Sequence, residues 1–389
     1  MTDNVDVAAI FCRYGDQYCR TYGISPEQFK VLNLIKICRT SALGGHLQQC
    51  DGCGYQRPAY NSCRNRHCPK CQTMAKEKWI NDRSMELLPC GYFHLVFTLP
   101  HEPNGLIMGN KRLLLGLLFK ICADVLQCFA KDPKWRLCGK LGLIAVLHTW
   151  SQTLMDHFHL HCLVPAGALS FDESAWISTR KKFLFCKKTL AKAFKHRYIK
   201  QLVALYEHDK IEFSGKTMAL AGKDAFGRMI RTLRKKKWIV EAKRPFAGPD
   251  QVLDYLGRYT HRVAISNNRI VSMQKGKVTF TYRDRADNNK QKRMTLDATE
   301  FIRRFLLHVL PDGFVKIRYF GFLAHRNKKR CIALIRTLID PKAEPIRKRD
   351  ESTAEMMLRL TGIDVTRCPQ CKNGQMVVVT PLAKIKATI

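Results

Sequence analysis

The stretch DHFHLHCLVPAG, residues 156–167, decides how this chain folds. Three imidazoles, His157, His159 and His161, alternate with other residues inside a short apolar run that reads as a β-strand. Strand side chains two apart point the same way and sit about 6.6–6.8 Å apart, whereas those four apart are separated by about 13 Å. An ion can therefore be shared by neighbours in the alternation, but not by all three rings. His159 and His161 form the better pair: they flank Leu160 and precede Cys162-Leu163-Val164, which can anchor the strand in a core. His157 is left as an outer or substrate contact. Two imidazoles under-fill a metal, so a third ligand must come from elsewhere. Gln152, His148 and His261 are candidates, which the sequence does not rank. The competing reading is a pair of satisfied histidines on a sheet face.

Upstream, LGLIAVLHTWSQ is a second strand candidate, and a turn near Met155-Asp156 would join the two as a hairpin of an antiparallel sheet. YFHLVFTLP, 92–100, is aromatic, β-branched and closed by a proline, hence another strand. Residues 104–130 recur at helical spacing and predict one or two buried helices. Residues 1–45 carry an apolar helical face with Phe29, Leu32, Leu34, Ile35 and Ile37, ended by Gly44-Gly45; a further helix is expected at 75–88. NNRIVSMQKGKVTFTYRDR returns to alternating strands around a Lys-Gly turn. The fold class expected is α+β, in three parts: an N-terminal part at 1–88, helical and then rich in cysteine, a larger part at 89–330 that carries the strands of the antiparallel sheet, and a basic tail at 331–389.

Charge narrows the partner. Lys and Arg number 67 against 32 Asp and Glu, a formal charge of +35, which points to a polyanion. The start is acidic and soon polar, and no run of eighteen apolar residues is present, so the chain is read as cytoplasmic with no membrane partner. Of 17 cysteines, five fall between Cys50 and Cys71. In a reducing compartment they indicate metal binding. Cys50-x-x-Cys53 and Cys68-x-x-Cys71 can wrap one tetrahedral Zn²⁺, with the thiolates about 2.3 Å from the ion. Four thiolates leave no open position, so the site is structural. His46, Cys63 and His67 are extra ligand candidates that allow a second zinc, and CPQC at 368–371 resembles half of another knuckle. Arg57, Arg64 and Arg66 among the ligands suit phosphate contact.

The segment QVLDYLGRYTHRVAI supplies the chemistry. On a helix, Tyr255 and Tyr259 lie four apart and project from one face. A phenol with a pKa near 10 is a poor nucleophile at neutral pH, so the phosphate it attacks must be made more electrophilic by a cation. A metal on a sheet beside paired phenols is apparatus for phosphoryl transfer to tyrosine. Arg258 and Arg262 beside the phenols are placed to meet the phosphate, and Arg262 to stabilise its developing charge. Arg234-Lys235-Lys236-Lys237 followed by Trp238, and Tyr198 after His196-Arg197, interleave charge with rings in the manner of a single-stranded DNA site; a solvated basic helix is the competing reading.

In this order FTLP, HLHCLV and YLGRYTHRVAI, behind SCRNRHCPKC, resemble the rolling-circle insertion-sequence transposases with paired tyrosines, a branch of the His-hydrophobe-His endonuclease superfamily. The resemblance runs from about His46 to Arg326. It implies that Phe97-Thr98-Leu99 is the first strand motif, that His159 and His161 are the metal pair, and that Tyr255 and Tyr259 are the nucleophiles. It also implies single-strand cleavage to a 5′-phosphotyrosine and a free 3′-hydroxyl at transposon ends, with Mg²⁺ or Mn²⁺ as the working ion, on a central antiparallel sheet flanked by helices. Phe158 stands where relatives are expected to carry proline. Two other readings use the same residues: a rolling-circle replication initiator of a plasmid or phage, and a non-catalytic zinc-ribbon DNA-binding protein.

Overall fold

The computed structural model describes residues 5–179, 184–246, 251–252, 257, 260–342 and 348–385. It divides into two compact units: Met1–Asn81 with Val263–Val309 and Arg347–Ile389, and Asp82–Arg262 with Leu310–Ile346. This division differs from boundaries at 88 and 330, because two later segments pack with the N-terminal residues instead of following the chain order.

In the first unit the helix Val7–Thr21 is opened by Asp6, whose carboxylate accepts the Ala9 N–H at 2.8 Å, and the helix Pro26–Lys36 by a capping box between Ser25 and Gln28. Val31, Leu32 and Ile35 are buried, while Phe29 lies past the edge of that arc and is exposed. The helix expected at 75–88 begins earlier and spans Pro69–Ser84. Strands Ile270–Gln274, Lys277–Asp284 and Lys290–Asp297 form an antiparallel sheet. Its first turn is the Lys-Gly pair, Lys275 and Gly276, both at positive φ (47° and 73°), as a two-residue hairpin requires. A helix follows at Ala298–Leu307, and the Phe305 ring meets Phe11 edge-on at 5.2 Å. A second antiparallel sheet places Gly45–Cys50 between Gln56–Tyr60 and Met376–Leu382. The charged tail thus contributes a paired strand, preceded by a helix at Thr353–Thr361.

The second unit is built on five strands: β1 (Tyr92–Thr98), β2 (Gly142–Trp150), β3 (Asp156–Pro165), β4 (Ile239–Phe246) and β5 (Ile317–Gly321). Their order is β5-β2-β3-β1-β4, antiparallel throughout. The β2–β3 hairpin turns through Ser151–Met155, where the Ser151 N–H donates to the Met155 carbonyl at 2.8 Å, slightly before the turn expected at Met155-Asp156. Strand period two splits the sheet into unlike faces. Phe93, Leu95 and Phe97, with Leu143, Ala145 and Leu147, and Phe158, Leu160, Cys162 and Val164, enter one hydrophobic core. Helices α1 (Lys111–Lys131), α2 (Lys187–Glu207) and α3 (Lys223–Lys235) contribute to that same core. The opposite face receives His94, Val96, Thr98, Val146, His148, His159 and His161. By length and composition α1 could cross a membrane, yet 67% of its most apolar window is buried, as befits a core helix.

Leu160, fully buried between His159 and His161, anchors the strand that carries both rings. Leu160→Ala is expected to lower unfolding free energy by about 2–5 kcal/mol in chemical denaturation. A loss below about 1 kcal/mol would show that the strand is not held through this residue.

Candidate active site

Antiparallel register assembles the histidine site. His148 on β2 lies directly opposite His159 on β3, and His161 follows two residues later on the same face. The ring centroids are 5.4 Å apart for His148 and His159, 4.5 Å for His148 and His161, and 5.0 Å for His159 and His161. One nitrogen from each ring lies within 4.8 Å of the others. Of the three residues offered as a third ligand, His148 falls into this group because cross-strand pairing brings opposed side chains within about 5 Å. Gln152 sits in the hairpin turn, and His261 Nδ1 lies 3.1 Å from the Thr260 hydroxyl.

Neighbouring groups orient these rings. His159 Nδ1 lies 2.8 Å from the His157 carbonyl, which accepts its proton and leaves Nε2 as the ligating nitrogen. His94 on β1 stacks on His161 and approaches its Nδ1 with Nε2 at 2.8 Å. Sequence reading passed over His94, a lone histidine in an otherwise apolar strand. Burial first, then the charges of His148, His159, His94 and Arg262, hold His161 far below the ordinary imidazole range. His94 is lowered to about 3, mainly by burial, with Lys243 and His159 adding to it. Buried imidazoles with nitrogens that converge within 4.8 Å suit a divalent cation, and Thr98 of the FTL motif lies opposite His159 in the same row. The His157 ring is 4.8 Å from His159 and 5.4 Å from His101, at the edge of the group.

Tyr255, Tyr259 and Arg258 lie outside the described residues. Around them Gln251, Val252, Gly257 and Thr260 are helical, with Val252 and Thr260 fully buried. Arg262, just beyond, is close enough for its charge to act on His161.

The cysteines expected to share one zinc are divided between two groups. Cys50 and Cys53 meet Cys368 and Cys371, while Cys68 and Cys71 meet Cys38 and Cys63. The pairing of Gly45–Cys50 with Met376–Leu382 sets Cys50 opposite Met376 and so delivers the late knuckle to the early one. Cys68 and Cys71 stand at the start of the helix Pro69–Ser84, where the Cys63 N–H donates to Cys38 Sγ at 3.5 Å. Sulfur separations are 3.6 Å for Cys50–Cys371, 3.7 Å for Cys53–Cys368, 3.6 Å for Cys38–Cys71 and 3.7 Å for Cys63–Cys71. Those are too long for a disulfide, at about 2.05 Å. They match the roughly 3.8 Å edge of a tetrahedron with bonds of about 2.3 Å. The Gly52 and Cys53 N–H groups donate to Cys50 Sγ, and Gly374 N–H to Cys371 Sγ. Such donation helps lower the Cys371 thiol to about 6. Gly374 lies so close to Cys50 Sγ that no Cβ could be accommodated. His46 and His67 belong to neither group. Cys38 was missed because it stands 25 residues from Cys63, at a helix end.

The basic candidates differ in fate. Arg64 is exposed and Arg66 half-buried, whereas the Arg57 guanidinium donates to Gln48 Oε1 and to the Val365 carbonyl. Arg234, Lys235, Lys236 and Lys237 are exposed, with Lys236 paired to Glu102 at 2.8 Å. Trp238 and Tyr198, expected to stack on bases, are core residues: Trp238 is 5.0 Å from Phe194 and donates its indole N–H to the Leu233 carbonyl, and Tyr198 is fully buried.

Two family descriptions match the chain: "Transposase zinc-binding domain" over residues 10–99 and "Putative transposase" over 142–330. A "Putative transposase y4qJ" of Sinorhizobium fredii is 45% identical over 378 residues, covering 96% of this chain and 94% of that protein. The "Transposase for insertion sequence element IS801" of Pseudomonas savastanoi pv. phaseolicola is 28% identical over 307 residues, covering 78% and 72%. No solved structure matches. With a relative at this identity aligned over nearly its whole length, the chain belongs to the insertion-sequence transposases that carry an IS91-type zinc-binding domain.

Proposed function

We propose that this transposase nicks and rejoins single-stranded DNA at transposon ends through Tyr255 and Tyr259, in rolling-circle transposition. The observation that carries the reading is the buried triad of His148, His159 and His161, three nitrogen donors converging within 4.8 Å on the face of the sheet opposite its hydrophobic core. These three would hold Mg²⁺ or Mn²⁺, which when bound polarises a non-bridging phosphate oxygen and orients the phosphate. A tyrosine phenol loses its proton and its oxygen bonds to phosphorus. The bond from phosphorus to the 3′-oxygen breaks, and that oxygen takes a proton to become a free 3′-hydroxyl. The product is a 5′-phosphotyrosine that a second 3′-hydroxyl can reverse. Arg262, whose charge reaches His161, would favour the anionic phosphate there. Two tyrosines would allow two exchanges in succession without hydrolysis. The substrate proposed for it is transposon-end DNA, met in the cytoplasm at the nucleoid of a prokaryotic cell.

The two thiol groups are proposed as structural zinc sites. Four sulfurs would close the coordination of each ion, so neither site would offer a position for substrate. Their part is to stiffen a module with few buried apolar residues around it, Cys50, Cys368 and Met376 forming a separate small cluster.

With a single-stranded transposon-end oligonucleotide and Mn²⁺, a covalent protein–DNA adduct is expected on a denaturing gel. It should disappear in the Tyr255→Phe/Tyr259→Phe double variant; an undiminished adduct would remove both phenols from the mechanism. Elemental analysis of the folded protein should give two zincs per chain, falling to one in Cys368→Ser/Cys371→Ser. Unchanged zinc in that variant would separate the late knuckle from Cys50 and Cys53.

A further inference from the structure

At the outer edge of β4 a groove of about 640 Å³ opens between α2 and the connection from α3 to β4. One wall carries Lys187, Lys188 and Lys192, and the other Lys235, Lys236 and Lys237. Lys195 ties the walls together, its Nζ donating to the carbonyls of Arg234 and Lys236 at 2.6 and 3.2 Å. Trp238 and Val240 form an apolar floor, and no carboxylate lines the groove among the described residues. Lys236 has Glu102 as its partner. Among the described residues no ion pair engages Lys187, Lys188, Lys192, Lys235 or Lys237.

We propose that this groove holds the sugar-phosphate backbone of single-stranded DNA beside the scissile phosphate, an inference that rests on the reading of the histidine site. Unpaired ammonium groups on facing walls repel one another, and a chain of phosphates entering between them removes that repulsion while releasing counterions. Sheet register sets the distance to the chemistry. Ile239, in the groove, pairs with Thr98, which pairs with His159. Two strand spacings separate Ile239 from His159, roughly 10 Å, a span that a single strand covers in a couple of nucleotides. Ile239 is half exposed and on the histidine-bearing face, so the path between the two is along the surface of the sheet. Both walls can contact one backbone, whereas a duplex lying over the rim would reach only the outermost lysines. The floor has no exposed aromatic ring to stack on bases, so the groove reads charge and not sequence.

The test is the salt dependence of single-strand binding, followed by fluorescence anisotropy of a labelled oligonucleotide. In the variant Lys188→Gln/Lys192→Gln/Lys235→Gln/Lys237→Gln, the slope of log K against log salt should shrink by roughly two to three, at about 0.7 for each single-strand phosphate that the protein no longer neutralises. All four side chains are exposed, and circular dichroism and zinc content check that the fold is kept. The matching Lys→Arg variant should retain the wild-type slope. An unchanged slope in the Gln variant, or an equal fall for a duplex of the same sequence, would overturn the proposal. Adduct formation by the wild type, scored with the same oligonucleotide, reports on the tyrosine chemistry separately, so the two readings fail independently.

Discussion

Everything in the second unit depends on the register between β2 and β3. A hairpin closed by Ser151–Met155 sets His148 opposite His159, and the period of two then carries His161 to the same face. Slipping that register by one residue would exchange the faces of the slipped strand, on β3 turning His159 and His161 toward the core and Phe158 and Leu160 away from it. The hydrophobic side enforces the alignment: Leu147, Phe158, Leu160 and Cys162 are all buried against helices, so a slip would cost many methylene groups at once. The polar site is thus positioned by the apolar face behind it. His94 and the His157 carbonyl then fix the orientation of individual rings.

The first unit solves a different problem. The polar residues around the early cysteines have little apolar surface to bury, and the sheet that joins Gly45–Cys50 to Met376–Leu382 brings in ligands from the far end of the chain. Sulfur spacings near a tetrahedron's edge, N–H donation to the sulfurs and a glycine packed against Cys50 are all arranged for closed four-sulfur coordination. The family's zinc-binding description spans residues 10–99 and so covers one complete group of four and half of the other. The other half comes from Cys368 and Cys371, within a segment that neither family description spans.

Much of this was legible in the sequence where a short-range rule governs. Alternation in 156–165 and 92–98 predicts strands, the Lys-Gly pair a tight turn, and the apolar run 104–130 buried helices, and each is present. The His159–His161 pair could be read because it depends only on strand period. Its third member could not be ranked, since that choice needs the cross-strand register. The cysteines misled for the same reason: nearness in sequence favoured grouping Cys50 and Cys53 with Cys68 and Cys71, while the actual partners are selected by strand pairing across more than 300 residues. Trp238 and Tyr198 follow basic runs, and burial of their rings against Phe194 was invisible to composition. The domain limits at 88 and 330 assumed a chain that folds in order, whereas Val263–Val309 returns to the first unit.

The central claim is that His148, His159 and His161 act as one set of ligands to a divalent ion. Pulsed electron paramagnetic resonance of the protein titrated with Mn²⁺ measures this directly, because imidazole nitrogens bound to Mn²⁺ give ¹⁴N couplings. The account predicts couplings from three imidazoles at one Mn²⁺ per chain, reduced to two in His148→Ala. A fully hydrated Mn²⁺ spectrum in the folded wild type, or couplings unaffected by removing His148, would contradict it.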